Sequence, residues 1–145
     1  MKTEAEIISL ANDKLKVAEF LLQNDFYDDA YYLGGYGFEL LLKGKICKTL
    51  AIADFFDFDN SKSRELPTTK TKRAEKESLY KPFKVHDYER LLILSGLYKE
   101  FETKIATDLA FSADWSVASK WDENLRYVTG SNQQDVNPLL IQLKK

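Results

Sequence analysis

The sequence predicts an all-α fold, and three observations support this fold class. Apolar residues recur at the three- and four-residue spacing of amphipathic helices along most of the chain. Helix-start signals stand before several of these segments, the first at Thr3. Runs that alternate β-branched and polar residues, as strands do, are absent from the sequence. We therefore expect an up-and-down helical bundle of four to five main helices.

The first predicted helix spans residues 3–23. Thr3 can cap it, and Glu6, three residues on, completes a capping box in which each side chain accepts a hydrogen bond from the other's backbone amide. Asn24-Asp25 then interrupts the pattern. The apolar stripe of this helix comprises Ile7, Leu10, Ala11, Leu15, Ala18, Leu21 and Leu22.

The second predicted helix runs from about Asp28 to Ala53 and is apolar on more than one side. A helix of that kind belongs at the centre of a bundle. Gly34, Gly35 and Gly37 fall in its middle, where each costs about 1 kcal/mol of helix propensity relative to Ala. We expect these glycines to admit the close approach of another segment, with a kink as the alternative.

Residues 54–84 are predicted to form a long polar connection between the second and third helices. The segment contains Pro67 and Pro82 and carries no sustained apolar stripe, although residues 73–79 favour a short helix. Residues 61–84 hold eight Lys or Arg and three acids, whereas the whole chain has a net charge of −2. A solvated loop explains this charge, and contact with an RNA backbone is the alternative.

Two further helices are predicted after this connection. The third begins near His86 and ends before Gly96, and the fourth covers about residues 97–110. Residues 111–137 are of mixed character, with Trp115 and Trp121 as expected packing residues.

A short terminal helix is predicted over residues 138–145. Asn137 is its expected cap, and Pro138 is its first residue.

Composition bounds the class of protein. The chain has 145 residues, 44% of them hydrophobic and 30% charged, which favours one domain over residues 1–145. No apolar run approaches the roughly 18 residues that a membrane span requires, and acids in the first residues argue against a secretory signal. A lone cysteine, Cys47, fits a cytoplasmic protein, and a single histidine argues against a zinc site. We expect no metal, no cofactor and no membrane contact.

Three segments, in order, resemble the HEPN domain of bacterial and archaeal proteins. The second helix contains Ala30 and the run Gly35-Tyr36-Gly37-Phe38-Glu39-Leu40-Leu41-Leu42-Lys43. The third helix begins His86-Asp87-Tyr88-Glu89-Arg90-Leu91-Leu92, and Trp121-Asp122-Glu123-Asn124-Leu125-Arg126-Tyr127 follows later. The resemblance covers residues 5–130, nearly the whole chain.

The resemblance implies a bundle of four or five helices that forms a homodimer. Many HEPN proteins are encoded beside a minimal nucleotidyltransferase, and some are metal-independent ribonucleases that act as toxins. Those nucleases carry an Arg, four to six residues and then a His, so that the two side chains can transfer protons and stabilise phosphate. In toxins of this type whose motif ends in His-x-Tyr, the partner nucleotidylates that tyrosine.

This chain departs from the nuclease pattern. The residue with the Arg spacing before His86 is Lys81, which cannot form the bidentate fork of an arginine and is separated from His86 by Pro82. His86 remains the candidate catalytic residue, and a structural role near the helix start is about as well supported. Tyr88 completes the His-x-Tyr pattern and is the candidate modification site.

Several cationic residues are candidates for nucleotide or RNA binding. Lys43 lies four residues after Glu39, and we favour a structural pair over a phosphate contact. Arg126 and Tyr127 could line a nucleotide pocket, whereas pairing of Arg126 with an acid is the preferred interpretation. Lys81 and Arg90 are the other candidates, as substitutes for the absent arginine.

Three functions remain open from the sequence. The first is a dimeric, non-catalytic HEPN-type module in nucleotide- or RNA-linked regulation, or in a toxin–antitoxin-like or defence pair with a nucleotidyltransferase. The second is a metal-independent endoribonuclease that uses His86. The third is a nucleotide-binding domain lined by Lys43, His86 and Arg126.

Overall fold

The computed structural model describes residues 3–56, 86–127, 129–130 and 136, and it describes Arg126 by its backbone only. Five α-helices and one 3-10 helix have defined bounds in these ranges, and no strand occurs in them. The predicted all-α bundle is therefore confirmed. The helices are α1 Glu4–Gln23, α2 Tyr27–Leu50, α3 Tyr88–Leu94, α4 Tyr98–Thr107 and α5 Leu109–Ala118, and the 3-10 helix is Glu123–Tyr127.

The start of α1 is held by the predicted capping box. The Thr3 hydroxyl accepts a hydrogen bond from the Glu6 amide at 3.3 Å, and the Glu6 carboxylate accepts one from the Thr3 amide at 2.9 Å. The Glu4 amide also donates to the Ala53 carbonyl at 2.6 Å. This last bond joins the start of α1 to the residues just after α2, so the two long helices form an antiparallel pair.

The glycines of α2 are sites of close packing. A Cβ atom on Gly37 would lie 2.8 Å from Leu15 Cδ2 of α1, and one on Gly35 would overlap the indole of Trp121. The helix is continuous through these positions from Tyr27 to Leu50. Close approach, and not interruption of the helix, therefore explains the loss of helix propensity at Gly35 and Gly37.

The helix α2 lies at the centre of the bundle, as predicted. It packs along α1 on one side and against α3 and the 3-10 helix on another. Hydrogen bonds from side chains to backbone carbonyls fasten these elements: Tyr31 Oη donates to Val117 and Trp121 Nε1 donates to Tyr32, both at 3.2 Å. Trp121 is buried and Trp115 is partly buried against the core, so both are packing residues as expected.

The segment after α4 differs from the prediction. Residues 97–110 were expected to form one helix, but α4 ends at Thr107 because Asp108 adopts an extended conformation. The Asp108 carboxylate then caps a new helix, α5, by accepting the Phe111 amide at 2.9 Å. The expectation of mixed structure from residue 111 is wrong for residues 111–118. The apolar residues of this helix are spread around all its sides and do not recur at the three- and four-residue spacing of an amphipathic helix. The sequence pattern therefore does not distinguish a helix from irregular chain here.

Several predictions fall outside the described residues. These are most of the 54–84 connection with its basic stretch 61–84, the short helix near 73–79, the residue Lys81 and the terminal helix 138–145. Phe55 and Phe56, at the start of the connection, are described and are buried in the core. In the described part of the chain, no helix is long and apolar enough to cross a membrane.

Candidate functional site

The candidate site is built around Glu39, a carboxylate buried in the middle of α2. Only 1% of its side chain is exposed. An unpaired buried carboxylate would cost several kcal/mol, so its partners decide whether the fold tolerates it. Two cationic or ionisable side chains, Lys43 and His86, contact it.

Lys43 is the first partner of Glu39. It lies one turn further along α2, and its Nζ atom donates to Glu39 Oε1 at 2.5 Å. The ammonium is also 5.9 Å from the centroid of the Phe56 ring, within the range of a cation–π contact. The structure thus forms the Glu39–Lys43 pair, and the ammonium of Lys43 is already engaged on two sides.

His86 is the second partner, and it is bonded at both ring nitrogens. Nδ1 lies 2.9 Å from Glu39 Oε1 and 3.1 Å from Glu39 Oε2. Nε2 lies 2.9 Å from Oε2 of Glu123, in the 3-10 helix. About half of the His86 side chain is exposed. The imidazole therefore bridges a buried carboxylate of α2 and a half-exposed carboxylate of the 3-10 helix.

The position of His86 follows from the start of α3. Asp87, and not His86, is the N-cap of this helix: its carboxylate accepts the Arg90 amide at 2.9 Å. His86 therefore precedes the helix, and its side chain extends across to α2.

The three segments that carry the family resemblance meet at this point. Glu39 and Gly35 come from the first, His86 and Tyr88 from the second, and Trp121 and Glu123 from the third. Tyr88 Oη donates to the Gly35 carbonyl at 2.8 Å, and the Tyr88 ring stacks on Trp121 with centroids 5.3 Å apart and planes 8° apart. A second layer of aromatic contacts thus lies beside the Glu39–His86–Glu123 bridge.

This arrangement can hold a charge or position a proton, but it does not form a metal centre. Glu39 and Glu123 contact opposite nitrogens of the imidazole, so the three groups do not converge on one point. Across the described residues, no cluster of three His, Cys, Asp or Glu side chains could hold a metal ion.

Two of the other predicted binding residues, Arg90 and Tyr127, lie at exposed positions of the fold. Arg90 is exposed on α3, and Tyr127 is 75% exposed at the end of the 3-10 helix. The backbone of Arg126 lies in the same 3-10 helix, and its side chain is outside the description, as is Lys81. The described residues therefore bring together Glu39, Lys43 and His86, whereas Arg90 and Tyr127 lie at exposed positions.

Glu123 is a site residue that the sequence reasoning did not identify. It lies within the third of the segments that resemble HEPN domains, in which Trp121, Arg126 and Tyr127 were the predicted packing and binding residues. No local spacing links residue 123 to residue 86. The pairing depends on the packing of the 3-10 helix against α2.

Tyr88 is held with its hydroxyl buried. Burial, with the nearby charge of Glu39, raises the pKa of Tyr88 well above its usual value. A transferase could reach this hydroxyl only after α3 had separated from α2, because the hydroxyl donates to the Gly35 carbonyl inside the bundle.

Tyr88 is expected to make the fold sensitive to alkali. Its pKa is higher in the folded chain than in the unfolded one, so the native state binds more protons above the ordinary value of 10.0. Its contribution is complete below pH 10.0 and is lost as the pH rises toward the folded pKa. Tyr88→Phe should cost about 1 kcal/mol at neutral pH, through the lost hydrogen bond, and should flatten the alkaline decline.

Urea denaturation at pH values from neutral to strongly alkaline would measure this. Tyr127→Phe is the control, since the Tyr127 side chain is 75% exposed. An unchanged alkaline decline in Tyr88→Phe would contradict the assignment.

Comparison of the chain with known proteins identified no relative. The chain matches no family model, no curated protein and no solved structure. The likeness to HEPN proteins therefore rests on the three sequence segments and on the all-α architecture.

Proposed function

We propose that this chain is a non-catalytic HEPN-type module that acts by binding, as a cytoplasmic homodimer working with a nucleotidyltransferase in a regulatory or toxin–antitoxin-like pair. The single observation that carries the non-catalytic assignment is the engagement of both nitrogens of His86 by carboxylates. A general acid or base needs one ring nitrogen available to the substrate. The HEPN-type assignment and the nucleotidyltransferase partner rest on the three sequence segments that resemble HEPN domains in the same order.

The charge around His86 supports the same proposal. A phosphodiester at Nε2 would have to displace Glu123, whose carboxylate lies 2.9 Å from that nitrogen. A second anion at this distance is repelled, and Lys43, the cation that shares Glu39 with the imidazole, is already paired with that carboxylate. The bridge instead joins α2, the start of α3 and the 3-10 helix.

A metal-independent nuclease is the second candidate, and one observation favours it. The carboxylate of Glu39 contacts Nδ1 of a half-exposed imidazole, which is how a carboxylate orients a catalytic histidine. If Glu123 swung outward, Nε2 would face solvent. The two candidates therefore differ in what happens when Glu123 is removed.

RNA cleavage separates the two candidates. We expect purified chain at high concentration to leave single-stranded RNA intact in the presence of EDTA, both as wild type and as Glu123→Gln. Glu102→Gln, an exposed change on α4, is the matched control for the charge removed. Cleavage by wild type or by Glu123→Gln that His86→Ala abolishes would overturn the non-catalytic assignment.

Light scattering should give twice the 16.8 kDa mass of one chain, and a monomer would contradict the dimer.

Nucleotide binding at Lys43, His86 and Arg126 stays a prediction of the sequence. Nucleotide should then raise the melting temperature by mass action, because ligand binds the native state. The engagement of Lys43 and His86 with Glu39 argues against a phosphate at these two residues.

A further inference from the structure

A cleft of about 350 Å³ opens on the face of the molecule formed by α3, α4 and α5. Its size is at the lower end of the range for small-molecule sites, about 300–1,000 Å³. It is separate from the His86 bridge, because neither His86 nor Glu123 lines it. Five aromatic side chains line it: Tyr88, Tyr98, Phe101, Trp115 and Trp121.

These rings form a continuous aromatic wall. Tyr88 stacks on Trp121, and Trp115 follows with its ring centroid 6.0 Å from that of Tyr88. Phe101 then packs edge-on against Trp115 at 4.6 Å, and Tyr98 lies 6.3 Å from Phe101. Tyr88 and Trp121 are buried and stack on each other, so the partly accessible rings of the cleft are those of Tyr98, Phe101 and Trp115. Aromatic faces carry partial negative charge, so these three rings attract cations as well as apolar groups.

The charged residues of the cleft are acidic. Asp87 and Glu89 line it, and none of its described lining residues is a lysine or an arginine. The charge of Glu102, together with partial burial and the charge of Glu89, raises the pKa of Tyr98, which places both carboxylates near that phenol. The cleft thus combines two carboxylates with aromatic rings.

We propose that this cleft binds an organic ammonium ion, an alkylated amine held against the aromatic wall with its positive charge facing Asp87 and Glu89. Alkylated ammonium groups are apolar at their surface and cationic at their centre, so they match both properties of the site. A nucleotide matches only one: its base can stack, but its phosphates would face the carboxylates. The proposal concerns a site apart from His86 and holds whether or not the proposed function does.

The two tryptophans of the chain make this testable by fluorescence, because both line the cleft. We expect choline to change the tryptophan emission saturably at constant ionic strength. Its neutral isostere, 3,3-dimethyl-1-butanol, should bind at least about tenfold more weakly because it has no charge. Calorimetry with the same compounds gives an independent readout of binding.

Charge-removing variants locate the site. Glu89→Gln should weaken choline binding about fivefold, as expected for the loss of one nearby charge. Glu100→Gln is the matched control, since this exposed acid lies on α4 but does not line the cleft. No binding of choline by either method, equal binding of its neutral isostere, or equal loss in Glu89→Gln and Glu100→Gln would each overturn the proposal.

A further arm identifies the source of the ammonium group. Trimethyl-lysine within a short peptide is compared with choline. Tighter binding of the peptide would assign the ligand to a protein side chain, and equal or weaker binding would assign it to a free small molecule. Either result, with the charge dependence above, supports an ammonium site.

Discussion

Glu39→Ala is expected to destabilise the fold by about 3 kcal/mol, as measured by urea denaturation at neutral pH. The substitution leaves the ammonium of Lys43, which is only 14% exposed, without its carboxylate. It also removes the contact that draws His86 across to α2. The loss of an anion from a buried pair costs more than the pair itself contributes, because the remaining charge has no solvent to replace its partner.

The control replaces both members of the pair by apolar residues of similar length. Glu39→Leu combined with Lys43→Met should lie within about 1 kcal/mol of wild type, since a well-packed apolar pair avoids the cost of desolvating two charges. His86 is half exposed, so water can take the place of Glu39 at Nδ1. If Glu39→Ala were as stable as wild type, the carboxylate would not be buried and paired as described.

Gly35→Ala is expected to destabilise the fold by about 2 kcal/mol, even though alanine is the better helix former by about 1 kcal/mol. The new Cβ would overlap the indole of Trp121. The indole cannot retreat freely, because the Tyr88 ring stacks on it. Its displacement would also move the 3-10 helix that begins at Glu123, so the contact between Glu123 and His86 should weaken.

Gly44→Ala is the matched control, since it makes the same substitution in the same helix. There the new Cβ meets mainly the outer carbons of Ile8, a partly buried side chain that can turn away. We expect Gly44→Ala to stay within about 1 kcal/mol of wild type. Denaturation followed by tryptophan emission measures both variants. Equal stability of the two would show that Trp121 does not pack tightly on Gly35.

Short-range sequence signals predicted the ends of helices well where a residue type has one characteristic structural role. The capping box of Thr3 and Glu6 and the turn at Gly96, whose φ is +79°, both follow from short-range chemistry. The break at Asp108 was missed, although Asp108 is the N-cap of α5 and aspartate is a common N-cap residue. An aspartate within a helical pattern can be an exposed side chain or a cap, and only its backbone conformation distinguishes the two.

The contacts around Glu39 were predicted in part. His86 and the Glu39–Lys43 pair were identified, because a lone histidine and an i,i+4 charge pair are visible in the sequence. Their contact with each other was not, since residues 39 and 86 are 47 positions apart. Glu123 was missed altogether. One exposed-looking acid among the 23 acids of the chain carries no mark of its role.

The sequence by itself determined that this chain forms helices, where α1 and α2 lie, and that α2 is central. Those properties depend on spacing, capping and helix propensity, which act over a few residues. The tertiary structure alone decided that His86 lies between Glu39 and Glu123, and that five aromatic side chains line an acidic cleft. Such contacts depend on how helices distant in sequence pack, and no short-range preference encodes that packing.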